Sequence, residues 1–273
     1  MVKFSDKYQW VSLKKTGFKL EIILNRPEAR NAMNAAMAIE IIDILDSASL
    51  DSEIAVILIR GEGPHFSAGG DLKDMIDNID QPKSNEDDEL YLINRRFGDL
   101  LTKVNLSPQV IISIVNGAAR GGGFGIVCSS DIVIALNNST YAMPETGFGL
   151  PGAQIIPFVV NRLGKHYVRN LVSTGRVIDS NEAWHIGLIN YLCSDIESAE
   201  KKLVEILSQI KSRSPSAIME SKKLIEQVNF KPLSLILDDG AKKVAEMSRT
   251  GDGSEGLKAF LEKRKPSWVN RES

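Results

Sequence analysis

The chain has 273 residues, enough to bury a full hydrophobic core in one large or two modest domains. Its 33 Lys and Arg against 35 Asp and Glu give a formal net charge of −2, which argues against nucleic acid as a principal partner, since such proteins usually carry a basic footprint. The two cysteines, Cys128 and Cys193, make neither a disulfide nor a metal pattern and read as reduced core thiols.

In chain order, residues 1–6 lack the apolar core of a signal peptide, and no apolar run reaches membrane-spanning length, so a cytoplasmic location with no membrane partner is expected. The first half alternates extended apolar runs with helical spacing. Residues 20–24 read as a strand, and residues 32–47, with Met37, Ile41, Ile44 and Leu45 on one face, as a helix. Residues 54–59, 110–115 and 131–135 are short and rich in β-branched side chains, as expected for strands buried on both faces. An α/β fold class follows. Residues 74–89 break the pattern, being acidic and poor in large apolar side chains; they read equally as an active-site lid or as a solvated loop. Helices dominate after about Gln154, with helical spacing over residues 198–211, 215–227, 233–248 and 254–263. No linker-like or repetitive stretch divides the chain.

Two glycine-bearing segments carry the strongest chemical signal. They are Phe66-Ser67-Ala68-Gly69-Gly70-Asp71-Leu72 and Asn116-Gly117-Ala118-Ala119-Arg120-Gly121-Gly122-Gly123-Phe124-Gly125. Glycine lets the main chain approach a ligand closely, and a glycine run opening a helix leaves N–H donors facing outward. Each segment alone also reads as a tight strand-to-helix turn. As a pair they can converge two donors into an oxyanion hole, where each is worth roughly 3–4 kcal/mol of transition-state stabilisation. Glu145 follows Pro144 and lies amid Tyr141, Met143, Phe148 and Leu150, an apolar setting that raises a carboxyl pKa by desolvation towards the range suited to acid–base work. A solvent-facing glutamate is the plainer reading of the same residue. His65, His166 and His185 are too scattered for a metal triad and read as structural or surface residues. No nucleophile elbow or Walker loop occurs, and Gly121, Gly123 and Ile126 miss the third position of a dinucleotide fingerprint.

Further landmarks stand in order along the chain: Leu24-Asn25-Arg26-Pro27, Asn31-Ala32-Met33, Ser130-Asp131-Ile132, Met143-Pro144-Glu145, Arg162-Leu163-Gly164, residues 182–189 from Glu182 to Ile189, and Phe260-Leu261-Glu262-Lys263-Arg264. With the two glycine segments they resemble the enoyl-CoA hydratase/isomerase superfamily, the crotonases, over nearly the whole chain. The resemblance implies a spiral of β-β-α units. It assigns residues 1–200 to a core with the CoA and oxyanion-hole loops, and residues 201–273 to a helical C-terminal trimerisation region. It also implies that the N–H groups of Gly70 and Gly122 polarise the thioester carbonyl of an acyl-CoA and stabilise an enolate, with Glu145 moving the proton.

Family hydratases often carry a further glutamate just after the glycine run, where this chain has Gly125, so the two-carboxylate mechanism does not carry over intact. Members resembling methylglutaconyl-CoA or isohexenylglutaconyl-CoA hydratases have a segment similar to Gly149-Leu150-Pro151-Gly152-Ala153-Gln154-Ile155. Hydration of a 2-enoyl-CoA is the leading expectation. A Δ3,Δ2-enoyl-CoA isomerase, which needs one carboxylate, and a noncatalytic CoA-binding scaffold are the alternatives. For CoA the resemblance points to Lys73 near the phosphates, to Ala68, and to Arg30, which stands in for a family lysine where Glu28 intervenes. It also points to Phe260 and Lys263 reaching a neighbouring subunit's ligand, although Phe260 reads as well as a helix core position and Lys263 as a solvated face. A homotrimer or dimer of trimers, needing no cofactor beyond the CoA of its substrate and acting in fatty-acid or branched-chain breakdown, completes the expectation.

Overall fold

A computed structural model of the chain describes residues 8–76, 88–228 and 230–270. Most of the acidic stretch expected as a lid or solvated loop, residues 77–87, lies outside the described residues. The chain forms two compact units, residues 1–202 and 203–273.

The first unit runs β1 (Val11–Thr16), β2 (Lys19–Leu24), α1 (Ala35–Ser49), β3 (Val56–Gly61), α2 (Leu72–Ile76), α3 (Glu89–Asn105), β4 (Val110–Val115), β5 (Ala118–Arg120), α4 (Gly122–Ser129), β6 (Ile132–Leu136), β7 (Thr140–Ala142), α5 (Ile156–Thr174), β8 (Ile178–Asp179), α6 (Ser180–His185), β9 (Tyr191–Cys193) and the start of α7 (Ile196–Lys211). A six-stranded sheet has the order β1-β2-β3-β4-β6-β9, and a three-stranded sheet the order β5-β7-β8. In the larger sheet β1 is antiparallel to β2 and the remaining neighbours are parallel. Parallel neighbours need crossover connections, which is why helices alternate with these strands. The recurring pattern of a strand in each sheet followed by a helix is the β-β-α spiral.

Burial follows the two periods expected of strand and helix. Leu20, Ile22 and Leu24 of β2 enter the main core together with Met37, Ile41, Ile44 and Leu45 of α1. The helix expected from about Ala32 begins at Ala35, because the Asn34 side chain accepts the Met37 N–H at 2.8 Å and caps it. Asn31 and Arg30, at φ 54 and 53, are left-handed and outside the helix. The three-residue strands β5, β7 and the two-residue β8 form the smaller sheet, a layer that the apolar periodicity leaves unmarked.

Among the described residues two carboxylates are buried in this unit, Glu21 and Asp51, the latter paired with Lys15 at 3.3 Å. Glu21 of β2 is 1% exposed and pairs with Arg60 of β3 and with Lys19, the latter at 3.4 Å, while Arg60 also reaches Glu200 of α7 at 2.6 Å. Register sets Glu21 beside Leu58, two residues from the Ile23 and Arg60 pair.

The second unit holds the rest of α7, α8 (Pro215–Gln227), α9 (Leu233–Arg249) and α10 (Gly251–Leu261). Ser214 caps α8 and, with Ser216, donates to Asp252 of α10 at 2.7 and 2.8 Å. The helix expected over residues 254–263 starts at Gly251 and stops at Leu261, with Lys263 turned left-handed at φ 52. Phe260 is 82% exposed, which overturns its reading as a helix core position. Leu233, Leu237, Val244, Leu257 and Leu261 are likewise exposed.

Removing Glu21 leaves Arg60 partly exposed and still paired with Glu200, so Glu21→Ala loses one charged contact without stranding its partner. It is expected to cost about 1 kcal/mol, read as a lower denaturant midpoint in equilibrium unfolding, whereas a midpoint within experimental error of wild type would contradict this account of the Arg60 pairing.

Candidate active site

The two glycine segments lie against each other. Ser67 pairs with Ala119 in a parallel bridge: the Ser67 N–H donates to the Ala118 carbonyl at 3.0 Å and the Arg120 N–H to the Ser67 carbonyl at 2.9 Å. Beyond the bridge both chains turn through left-handed glycines, Gly69 at φ 95 and Gly121 at φ 48. A carbon built on Gly69 would sit 2.9 Å from the Arg120 carbonyl oxygen, and one on Gly121 3.7 Å from the Gly69 Cα. Bare backbone is what lets the turns close together.

Each turn ends in a donor. Gly70 is held from behind by Met33, whose N–H donates to Gly69 and whose carbonyl accepts from Asp71. Gly122 is the first residue of α4, where helix N–H groups lack intrahelical partners. Among the described residues neither the Gly70 nor the Gly122 N–H has an acceptor. Ala68 is half-buried in the same segment, its N–H donating to the Arg30 carbonyl at 2.9 Å.

Glu145 opens a 3-10 turn, Glu145–Phe148, just past β7. A carbon built on Gly121 would lie 2.8 Å from one Glu145 carboxylate oxygen, and one on Gly152 would lie 3.6 Å from the other. That second oxygen, Oε2, is buried and has no hydrogen-bond partner among the described residues. Burial raises the Glu145 pKa above the ordinary carboxylate range, a bond from its own backbone amide opposing in part. The apolar surround differs from the one expected. Tyr141 and Met143 are fully buried beneath the turn, but Phe148 and Leu150 are 58% and 40% exposed, because the 3-10 turn points them outward.

At the position after the glycine run any side chain would have to displace its neighbours. A carbon on Gly125 would stand 2.8 Å from Leu101 Cδ1 of α3 and 2.9 Å from Ile155 Cγ2. The same face of α3 carries Phe97, whose ring approaches Gly122, and Asn94, whose side-chain carbonyl accepts from the Gln154 amide at 3.0 Å. Gln154 in turn occupies the space a side chain on Gly98 would need. Phe97, Leu101, Asn94 and Gly98 were not legible as site residues; their only signal is i, i+3, i+4, i+7 spacing, which any amphipathic helix has.

The candidate CoA residues are placed differently. Lys73 of α2 and Arg30 are exposed on the segments flanking Gly70, and neither makes an ion pair among the described residues. Phe260 and Lys263 belong to the second unit. His65 accepts the Ala118 N–H at 3.3 Å, while His166 and His185 are exposed. Cys128 and Cys193 are buried thiols.

A β-β-α spiral that presents two outward backbone donors beside a half-buried glutamate, whose Oε2 has no partner among the described residues, defines an enzyme of the crotonase type. The chain belongs to the enoyl-CoA hydratase/isomerase family, whose model matches residues 19–271. Among solved structures it is similar to an enoyl-CoA hydratase/isomerase from Marinobacter aquaeolei, with 39% identity, 96% of this chain and 99% of that one covered, and a TM-score of 0.92. AtuE of Pseudomonas aeruginosa is 38% identical, with 96% and 100% covered and a TM-score of 0.91. The short-chain-enoyl-CoA hydratase of Clostridium acetobutylicum is 31% identical, with 93% of this chain and 95% of that protein aligned.

Because desolvation dominates its surroundings, the Glu145 carboxyl carbon should titrate by NMR with a midpoint above the ordinary glutamate range, the resonance assigned by its loss in Glu145→Gln. A midpoint at or below that range would show the carboxylate to be solvated.

Proposed function

We propose that this protein adds water across the double bond of a 2-enoyl-CoA, with Glu145 as its acid–base group. The observation that carries the reading is the buried Oε2 of Glu145, unpartnered and set against Gly121 and Gly152. A carboxylate that has lost water without gaining a protein donor is poised to take a proton.

In this mechanism the thioester oxygen accepts from the N–H groups of Gly70 and Gly122. Glu145 takes a proton from water as the water oxygen bonds to Cβ, and the π electrons move onto the thioester as an enolate. The enolate then collapses, and Glu145 returns the proton to Cα. The named hydratase activity of the Clostridium relative supports this reaction over others. The hydration subclass similar to methylglutaconyl-CoA or isohexenylglutaconyl-CoA hydratases, suggested by residues 149–155, fits the same single-carboxylate arrangement.

One observation favours a second reading. Leu101 and Ile155 crowd the space at Gly125, so that Glu145 is the carboxylate set beside the glycine turns among the described residues, and one carboxylate suffices to move a proton between Cα and Cγ in a Δ3,Δ2-isomerase. A noncatalytic scaffold is the weaker account, because it leaves the desolvation of Glu145 without a use. Buried thiols at Cys128 and Cys193 fit a reducing compartment such as the cytoplasm.

Glu145→Gln keeps size and polarity but cannot exchange a proton, so turnover should fall by about 10²–10⁴ while acyl-CoA affinity stays near normal. Wild-type protein in heavy-oxygen water should place label on Cβ. Product with a shifted double bond and no label would establish isomerisation instead, and full activity in Glu145→Gln would sink both readings.

Lys73, Arg30 and Ala68 are proposed to contact CoA, and the exposed apolar residues of the second unit, Phe260 among them, to cover a second copy of the chain in a trimer or dimer of trimers. Truncation before Phe260 should weaken CoA binding and loosen assembly together, measured by CoA titration and sedimentation. A truncated protein that stays trimeric and binds CoA normally would exclude this role.

A further inference from the structure

The Ser67 side chain touches the framework of both donors. Its backbone is stitched to β5, the strand that delivers Gly121 and Gly122. Its hydroxyl accepts the Gly69 N–H at 3.1 Å and donates to the Asn31 carbonyl at 2.8 Å. Gly69 directly precedes the Gly70 donor. On the other side, a carbon built on Gly123 would lie 2.6 Å from Ser67 Cβ and 3.0 Å from its hydroxyl, so the first turn of α4 packs directly onto this side chain.

The anchor on which Ser67 rests is itself fully specified. Asn31 is completely buried, and its side chain accepts from the Arg26 N–H at 2.9 Å and donates to the carbonyls of Glu62 and His65 at 2.9 and 2.8 Å. Ser67 is also completely buried, so its hydroxyl has no water to replace either partner. An oxyanion hole works only when its donors are preorganised at a fixed separation. Two turns that meet through left-handed glycines have no side chains of their own with which to fix it.

From this arrangement we infer that Ser67 is a positioning residue that sets the spacing and direction of the Gly70 and Gly122 N–H groups. It touches no reacting atom; it acts through Gly69 on one side and through α4 on the other. The inference rests on the acyl-CoA reading above, and it holds for hydration and isomerisation alike because both polarise the same carbonyl.

The test uses the full-length protein and an aryl-conjugated enoyl thioester, cinnamoyl-CoA, whose absorption band moves to longer wavelength when its carbonyl is polarised. Ser67→Ala is expected to bind the probe, to give at most about half the wild-type band shift, and to lose about 10–100-fold in kcat with KM changed by less than about threefold. Ser67→Cys, which keeps a weak donor and acceptor, should fall between the two, and it carries the test if Ser67→Ala does not fold. A Ser67→Ala or Ser67→Cys protein of lowered melting temperature with the full wild-type band shift would overturn the inference, leaving Ser67 a merely structural residue. Wild-type protein that binds cinnamoyl-CoA without moving the band would overturn the oxyanion-hole reading beneath it, and the inference with it.

Discussion

The parallel bridge between Ser67 and Ala119 is the contact on which the site depends. Two backbone hydrogen bonds there join a turn that follows β3 to a strand that follows β4, elements whose own sheet partners lie elsewhere. Once the bridge forms, Gly69 and Gly121 must both pass through left-handed conformations within van der Waals reach of each other. Side chains are excluded from this junction by steric force, and donors that would otherwise be covered are left facing out. The geometry of a reactive pocket thus follows from a backbone constraint before any functional side chain is considered.

Electrostatics at the site is organised around absence of solvent. Glu145 gains no cation, and among the described residues its buried oxygen gains no donor. Elsewhere the same unit handles a buried carboxylate in the opposite way, giving Glu21 both Arg60 and Lys19. The contrast separates a carboxylate that the fold pairs with cations from one whose pKa it raises by burial. Leu101 and Ile155 line the position at Gly125 with apolar side chains.

Much of the scaffold is legible in the sequence because burial is periodic. The strand over residues 110–115 and the helix over residues 215–227 appear with the expected bounds, since a β-branched run and a Ser-Pro helix start leave little choice. The smaller sheet is not legible: two- and three-residue strands are too short to show a period, and their pairing is decided by neighbours far along the chain. At the site, the glycines and Glu145 stand out because their chemistry is unusual for their surroundings. Phe97 and Leu101 do not, because what matters about them is which glycine each one faces. The outward set of Phe148 and Leu150 was hidden for a related reason, being a property of a 3-10 turn and its left-handed Gly149 rather than of apolar composition.

The filled space at Gly125 has a consequence for how this chain can change over generations. A single substitution to glutamate there would drive its Cβ into Leu101 and Ile155 at once, two residues carried by separate segments. A side chain could enter only with a shift of the Leu101 δ-methyls and the Ile155 γ-methyl, or with smaller residues at one or both positions. What position 125 can hold is therefore linked to what stands at 101 and 155, so the three positions are expected to change together rather than one at a time.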